Sequence, residues 1–155
     1  MPRDRAPQRN QPRILLGADN DAWRHQLVDA LDSNRLAHSM ETVKNADAYL
    51  AHLERAAAAP GPDPEPVPNL LILAFSEQSQ TGNLDILKYV KGKPELRFIP
   101  VIVATGRHRA METMEAYELG ANSVIHLPIR FEAMVRVMRI LEEYWCHTAH
   151  LPPST

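Results

Sequence analysis

Two short runs in this chain, LLIL (70–73) and IPVIVAT (99–105), are apolar nearly throughout and carry no alternating polar face. A strand with nothing to give to water belongs inside a sheet that is covered on both sides. That requirement constrains the rest of the sequence, because a buried parallel sheet needs a helix in every crossover. The chain supplies them. RILLG (13–17) reads as a first strand, followed by a helix capped by Asp19 or Asn20 with Trp23, Leu27, Ala30 and Leu31 on one face. HSMETV (38–43) reads as a second strand, and Asn45 or Asp47 opens a helix with Tyr49, Leu50 and Leu53 inward. After LLIL, Asn83 caps a helix through Ile86, Leu87 and Val90; after IPVIVAT, a helix spans about 109–119, with Gly120 as its C-terminal cap. NSVIHL (122–127) is a fifth strand, and a last helix spans about 131–146. Strand followed by helix, five times over, predicts a parallel sheet with helices on both faces and right-handed crossovers.

Composition fits one soluble domain of 155 residues, 45% hydrophobic and 23% charged. A net charge of −2 gives no global field for nucleic acid or anionic lipid. The first thirteen residues hold four Arg against one Asp, and residues 1–12 read as a disordered basic tail. Five prolines within PGPDPEPVP (60–68) exclude helix and central strand and make 59–68 an extended loop. Cys146 is the only cysteine, so no disulfide closes within the chain. With no membrane-length apolar run, a cytoplasmic protein is expected. His147 and His150 form an HxxH beside Cys146, but zinc wants three or four ligands and a fourth is missing. No glycine-rich phosphate loop, GxSxG or HExxH supports an enzyme.

In such sheets the functional crevice lies beyond the carboxyl ends of the strands. The residues there are 17–20, 74–78, 105–107 and 126–128. In order and spacing, ILLGADND, NLLILAFSEQSQTG, RFIPVIVATG, AYELGANSVIHLP and LEEYWCHTAHLP resemble the receiver domain of two-component response regulators, most closely the stand-alone type associated with bacterial phytochromes. The resemblance spans roughly residues 13–151. It implies a flavodoxin-like (βα)5 fold with strand order 2-1-3-4-5, a receiver-like domain over 13–146 and a C-terminal extension over 147–155.

The resemblance also implies a site that this sequence lacks. Receivers carry two acids after the first strand and a phosphoacceptor Asp after the third. They add a hydroxyl after the fourth strand and a lysine after the fifth, and the carboxylates hold Mg²⁺. Here those positions are Ala18 and Asp19, Ala74, Thr105 and Leu127, with Val124 at the fifth strand's aromatic and Gln78 at the loop proline. A methyl group cannot be a nucleophile, and a lone vestigial Asp19 is a poor Mg²⁺ site. A degenerate phosphorylation site, no cofactor and no catalysis are therefore expected. Ser76, Glu77, Asp21 and His126 are nearby polar residues, expected to be solvated in loops. Alternatively, Ala18, Ala74 and Leu127 could line an apolar crevice for a small molecule.

The last helix carries two apolar stripes at 100° per residue. Phe131, Met134, Val135, Met138, Leu141 and Trp145 form one, Ala133, Val137, Ile140 and Tyr144 the other. One stripe packs on the sheet. The second, with Met111, Met114 and Tyr117 of the fourth helix, is expected to form an interface, as is Trp145. The resemblance points the same way, since receivers commonly dimerise through these elements. The expected function is a phosphorylation-independent interaction module in a phosphorelay, as a homodimer. It would meet a sensor histidine kinase, a phosphotransfer protein or another receiver, with no nucleic acid and no membrane.

Overall fold

In the computed structural model, the structure describes residues 12–33, 39–58, 66–76, 82–106 and 110–152. Five strands alternate with five helices: β1 (Arg13–Gly17), α1 (Asp21–Ser33), β2 (Ser39–Val43), α2 (Ala46–Ala57), β3 (Leu70–Leu73), α3 (Asn83–Gly92), β4 (Val101–Thr105), α4 (Ala110–Glu118), β5 (Ser123–His126) and α5 (Phe131–Glu142). All pairings are parallel, in the order β2-β1-β3-β4-β5. This is the flavodoxin-like arrangement, and both interior runs of the sequence sit in the middle of it. Among the described residues no helix is long and apolar enough to cross a membrane.

The two-residue period of the strands divides the core between the sheet's two faces. Leu15, Leu71, Leu73, Val101 and Val103 face α2, α3 and α4, packing on Tyr49, Leu53, Ile86, Leu87 and Val90. Ile14, Leu16, Leu70, Ile72, Ile102 and Ala104 face α1 and α5, packing on Leu27, Leu31, Met134 and Met138. Tyr49 is fully buried and its hydroxyl donates to the Leu15 carbonyl at 2.8 Å.

The helix starts follow their capping residues. Asn20 accepts the Trp23 amide at 2.9 Å, and Asn45 accepts that of Ala48 at 2.7 Å. At α3 the cap is Gly82, whose amide donates to Asp85 at 3.0 Å, so Asn83 is released for another task described below. Gly120, at φ +104°, closes α4 as expected, its amide on the Tyr117 carbonyl and that of Ala121 on the Ala116 carbonyl.

The last helix differs from expectation. Its α-helical part stops at Glu142, and residues Glu143–Thr148 widen into a π-helical turn in which the Ala149 amide bonds the Tyr144 carbonyl five residues back. Trp145 and Cys146 are partly buried against the α1–α5 side of the core. The chain then turns to the amino-terminal edge of the sheet. There Asn69 donates to the Pro152 carbonyl at 3.0 Å while accepting the Arg13 amide at 2.9 Å. The expected tail 1–12 and loop 59–68 lie outside the described residues, apart from Pro12 and residues 66–68, as do 153–155 of the C-terminal extension.

Candidate functional site

The carboxyl edge of the sheet is built by backbone bonds that continue past the strands. The Ala18 amide donates to the Val43 carbonyl, that of Ala74 to Gly17 at 2.7 Å, and that of Leu127 to Thr105 at 2.8 Å. These bonds bring Ala18, Ala74 and Leu127 to one place, as the sequence predicts. All three side chains belong to the apolar cluster beneath α1 and α5, with 0%, 0% and 1% exposure. Among the described residues, these three side chains are packed in the core and line no open crevice.

Asp19 stands beside this core, partly exposed. Its two carboxylate oxygens both accept from Ser76: Oδ1 from the backbone amide at 2.9 Å, Oδ2 from the hydroxyl at 2.6 Å. Ser76 is thus bound to Asp19 rather than solvated in a loop, which corrects the expectation. The register explains the meeting: Gly17 lies opposite Leu73, so residues two and three past these positions become neighbours. Asp21 is not a second metal carboxylate either. Arg24 holds it at 2.6 Å and keeps its carboxyl below the usual range. Arg24 itself is buried and also donates to the Ala18 carbonyl at 3.2 Å.

Among the described residues, the donor set does not fit a Mg²⁺ site. That ion needs several hard oxygens, yet the nearest positions offer two alanine methyls and a carboxylate with both oxygens already accepting. Among the described residues, no three His, Cys, Asp or Glu side chains converge to hold a metal.

Two further contacts shape the edge. Asn83, freed from capping, accepts the Phe75 amide at 2.9 Å and donates to the Phe75 carbonyl at 3.2 Å. The Trp23 indole lies over Gly106, so close that a Cβ there would sit 2.6 Å from the ring. Sequence reasoning missed both contacts and the Ser76 pairing. Thr105 ends β4 opposite His126, partly exposed. Glu77 and Gln78 lie outside the described residues.

On the other flank, Met111, Met114 and Tyr117 of α4 are 84%, 64% and 49% exposed, and Ile140 and Tyr144 are open as well. Ala133 and Val137 are half-buried. Trp145, expected on this face, instead packs edge-on to Tyr144 and inward against the core. The Tyr117 hydroxyl accepts the Val124 amide at 3.1 Å and so blocks part of the free edge of β5. A groove of about 350 Å³ lined by Glu54, Tyr89, Lys93 and Glu95 opens at the C-terminal ends of α2 and α3, away from the strands' carboxyl edge.

No protein-family model matches the sequence. Response regulator Rcp1 of Synechocystis sp. is 24% identical over 146 residues, covering 94% of this chain and 97% of that protein. Among solved structures, the phosphorylated cyanobacterial phytochrome response regulator RcpA superposes with a TM-score of 0.79 at 25% identity, over 92% of this chain and 99% of RcpA. The fold is that of a response-regulator receiver domain. The Mn²⁺-bound form of Rcp1 superposes on this receiver fold equally well, at 0.79 and 24% identity, over 91% of this chain and 99% of that one. Those two proteins were crystallised phosphorylated and metal-bound, respectively. In this chain Ala74, Ala18 and Leu127 at the carboxyl edge are core.

Proposed function

We propose that this chain is a receiver-like interaction module of two-component signalling that works without phosphorylation. The observation that carries this is the burial of Ala18, Ala74 and Leu127 in one apolar cluster at the switch edge. A receiver holds a metal ligand, a nucleophile and a cation at those positions. No aspartyl phosphate forms at Ala74, no Mg²⁺ is required, and the chain catalyses nothing. The similarity to phytochrome response regulators supports a cytoplasmic role beside a sensor histidine kinase, a phosphotransfer protein or a competent receiver.

The exposed side chains Met111, Met114, Ile140 and Tyr144 support a homodimer through α4 and α5. Sedimentation equilibrium tests the whole reading. The expected result is a dimer whose dissociation constant is unchanged by acetyl phosphate with Mg²⁺ and which Ile140→Glu converts to monomer. A monomer at every concentration, or association that appears only with acetyl phosphate, would overturn it.

A further inference from the structure

The loop that leaves β3 is tied down at three successive residues, each by a different partner. The Ala74 amide is held by the Gly17 carbonyl at 2.7 Å. Phe75 is clamped at both its amide and its carbonyl by Asn83, and its ring packs edge-on against Tyr49 at 5.7 Å. Ser76 closes on Asp19 through both its amide and its hydroxyl. The first and third of these ties join the end of β1 to the end of β3.

From the pairing of Asp19 with Ser76 we infer a built-in clasp that takes the place of a cation between β1 and β3, holding this edge in one arrangement without metal. A divalent ion at a receiver's acidic edge links oxygens from separate segments. Here the link is a serine that presents two donors, spaced to meet the two oxygens of one carboxylate. Such bonds to an ionised acceptor are short and strong. An arriving cation would compete with both, and among the described residues would find the methyls of Ala18 and Ala74 in place of further carboxylates. The same pair could be read as a nucleophile with its base, since Asp19 Oδ2 lies 2.6 Å from the hydroxyl. Phosphoryl transfer also needs positive charge on the transferring group. Arg24, the buried cation of this edge, is committed to Asp21 and the Ala18 carbonyl. Among the described residues no other buried cation stands at this edge, and the pair is assigned to holding the loop.

The clasp is independent of which partner the α4–α5 face meets, and thermal melting of single and double variants tests it apart from self-association. Asp19→Ala and Ser76→Ala are each expected to lower the melting temperature, the first by roughly 3–10 °C, as loss of charge-assisted bonds does in a domain of this length. Ser76→Ala keeps its backbone bond to Asp19 and should fall less. The double variant should melt where Asp19→Ala alone does, because the hydroxyl has no role once its acceptor is gone. Ser76→Thr, which keeps the hydroxyl, should melt near the wild type. Mg²⁺ should leave the wild-type melt unmoved. Additive losses in the double variant, no loss in either single variant, or a wild-type melt raised by Mg²⁺ would each overturn the clasp. A phosphoryl adduct mapped to Ser76 after acetyl phosphate treatment would overturn it in favour of the nucleophile.

Discussion

Leu127 shows most directly what this edge has become. It is 1% exposed in an apolar cluster, so Leu127→Lys would bury an ammonium among aliphatic side chains. We expect a loss of roughly 3–5 kcal/mol, read as a fall in the urea midpoint. A lysine tolerated without cost would mean that the crevice is wetter than the packing shows. Gly17 is constrained from the other side of the sheet, since a Cβ there would lie 2.7 Å from Tyr49 and strike the Phe75 ring. Gly17→Ala should cost about 1–3 kcal/mol by the same measurement, because neither buried ring has room to retreat.

Cys146 supplies a pH test. Burial, and then the nearby Glu142 charge, push its thiol from 9.0 up to about 11. A raised acid favours folding only while it stays protonated in both states. The contribution is therefore complete below about pH 9 and lost between pH 9 and pH 11. At pH 8 its alkylation should be several-fold slower than that of a free thiol, since little thiolate is present. Alkylation at the free-thiol rate would place Cys146 in solvent. Tyr49, whose ionisation is pushed well above its usual range by full burial, should ionise in an alkaline titration only as the fold is lost.

At the scale of elements, what could be read from the sequence depended on period and position. The apolar runs of β3 and β4, the caps at Asn20, Asn45 and Gly120, and the helices between them follow from patterns that local chemistry writes into the chain. The π-helical turn at Glu143–Thr148 left no such trace, because its residues still run on at nearly helical spacing. Asn83 was legible as a helix-start residue but not as a clamp on Phe75, a bond fixed only once Gly82 takes the cap. Asn83→Ala, which leaves that cap in place, should cost roughly 1–3 kcal/mol and raise amide exchange at Phe75. Asn69 is a comparable hub at the opposite edge, bonding Arg13 and Pro152. Asn69→Ala should release the segment after Ala149, seen as faster amide exchange there while the sheet keeps its protection. Unchanged exchange would mean that the C-terminal segment is held elsewhere.

For the molecule as a whole, the residues at the carboxyl edge were legible one by one, because the strand ends fix which residues reach it. Their joint effect was not. That Ala18, Ala74 and Leu127 extend the core, and that Ser76 takes up both oxygens of Asp19, depends on how the ends of β1 and β3 lie side by side. Trp145 keeps the side its helical-wheel stripe gave it, packing inward with Met134, Met138 and Leu141 although the chain widens at Glu143–Thr148. The result is a receiver fold in which Ala18, Ala74 and Leu127 are buried at the carboxyl edge, and Met111, Met114, Tyr117 and Ile140 stand exposed on α4 and α5. The most direct test is the intact mass of the protein after incubation with acetyl phosphate and Mg²⁺, beside a competent receiver treated identically. The account predicts an unchanged mass here while the control gains a phosphoryl group; a stable phosphoryl adduct on this chain would contradict it.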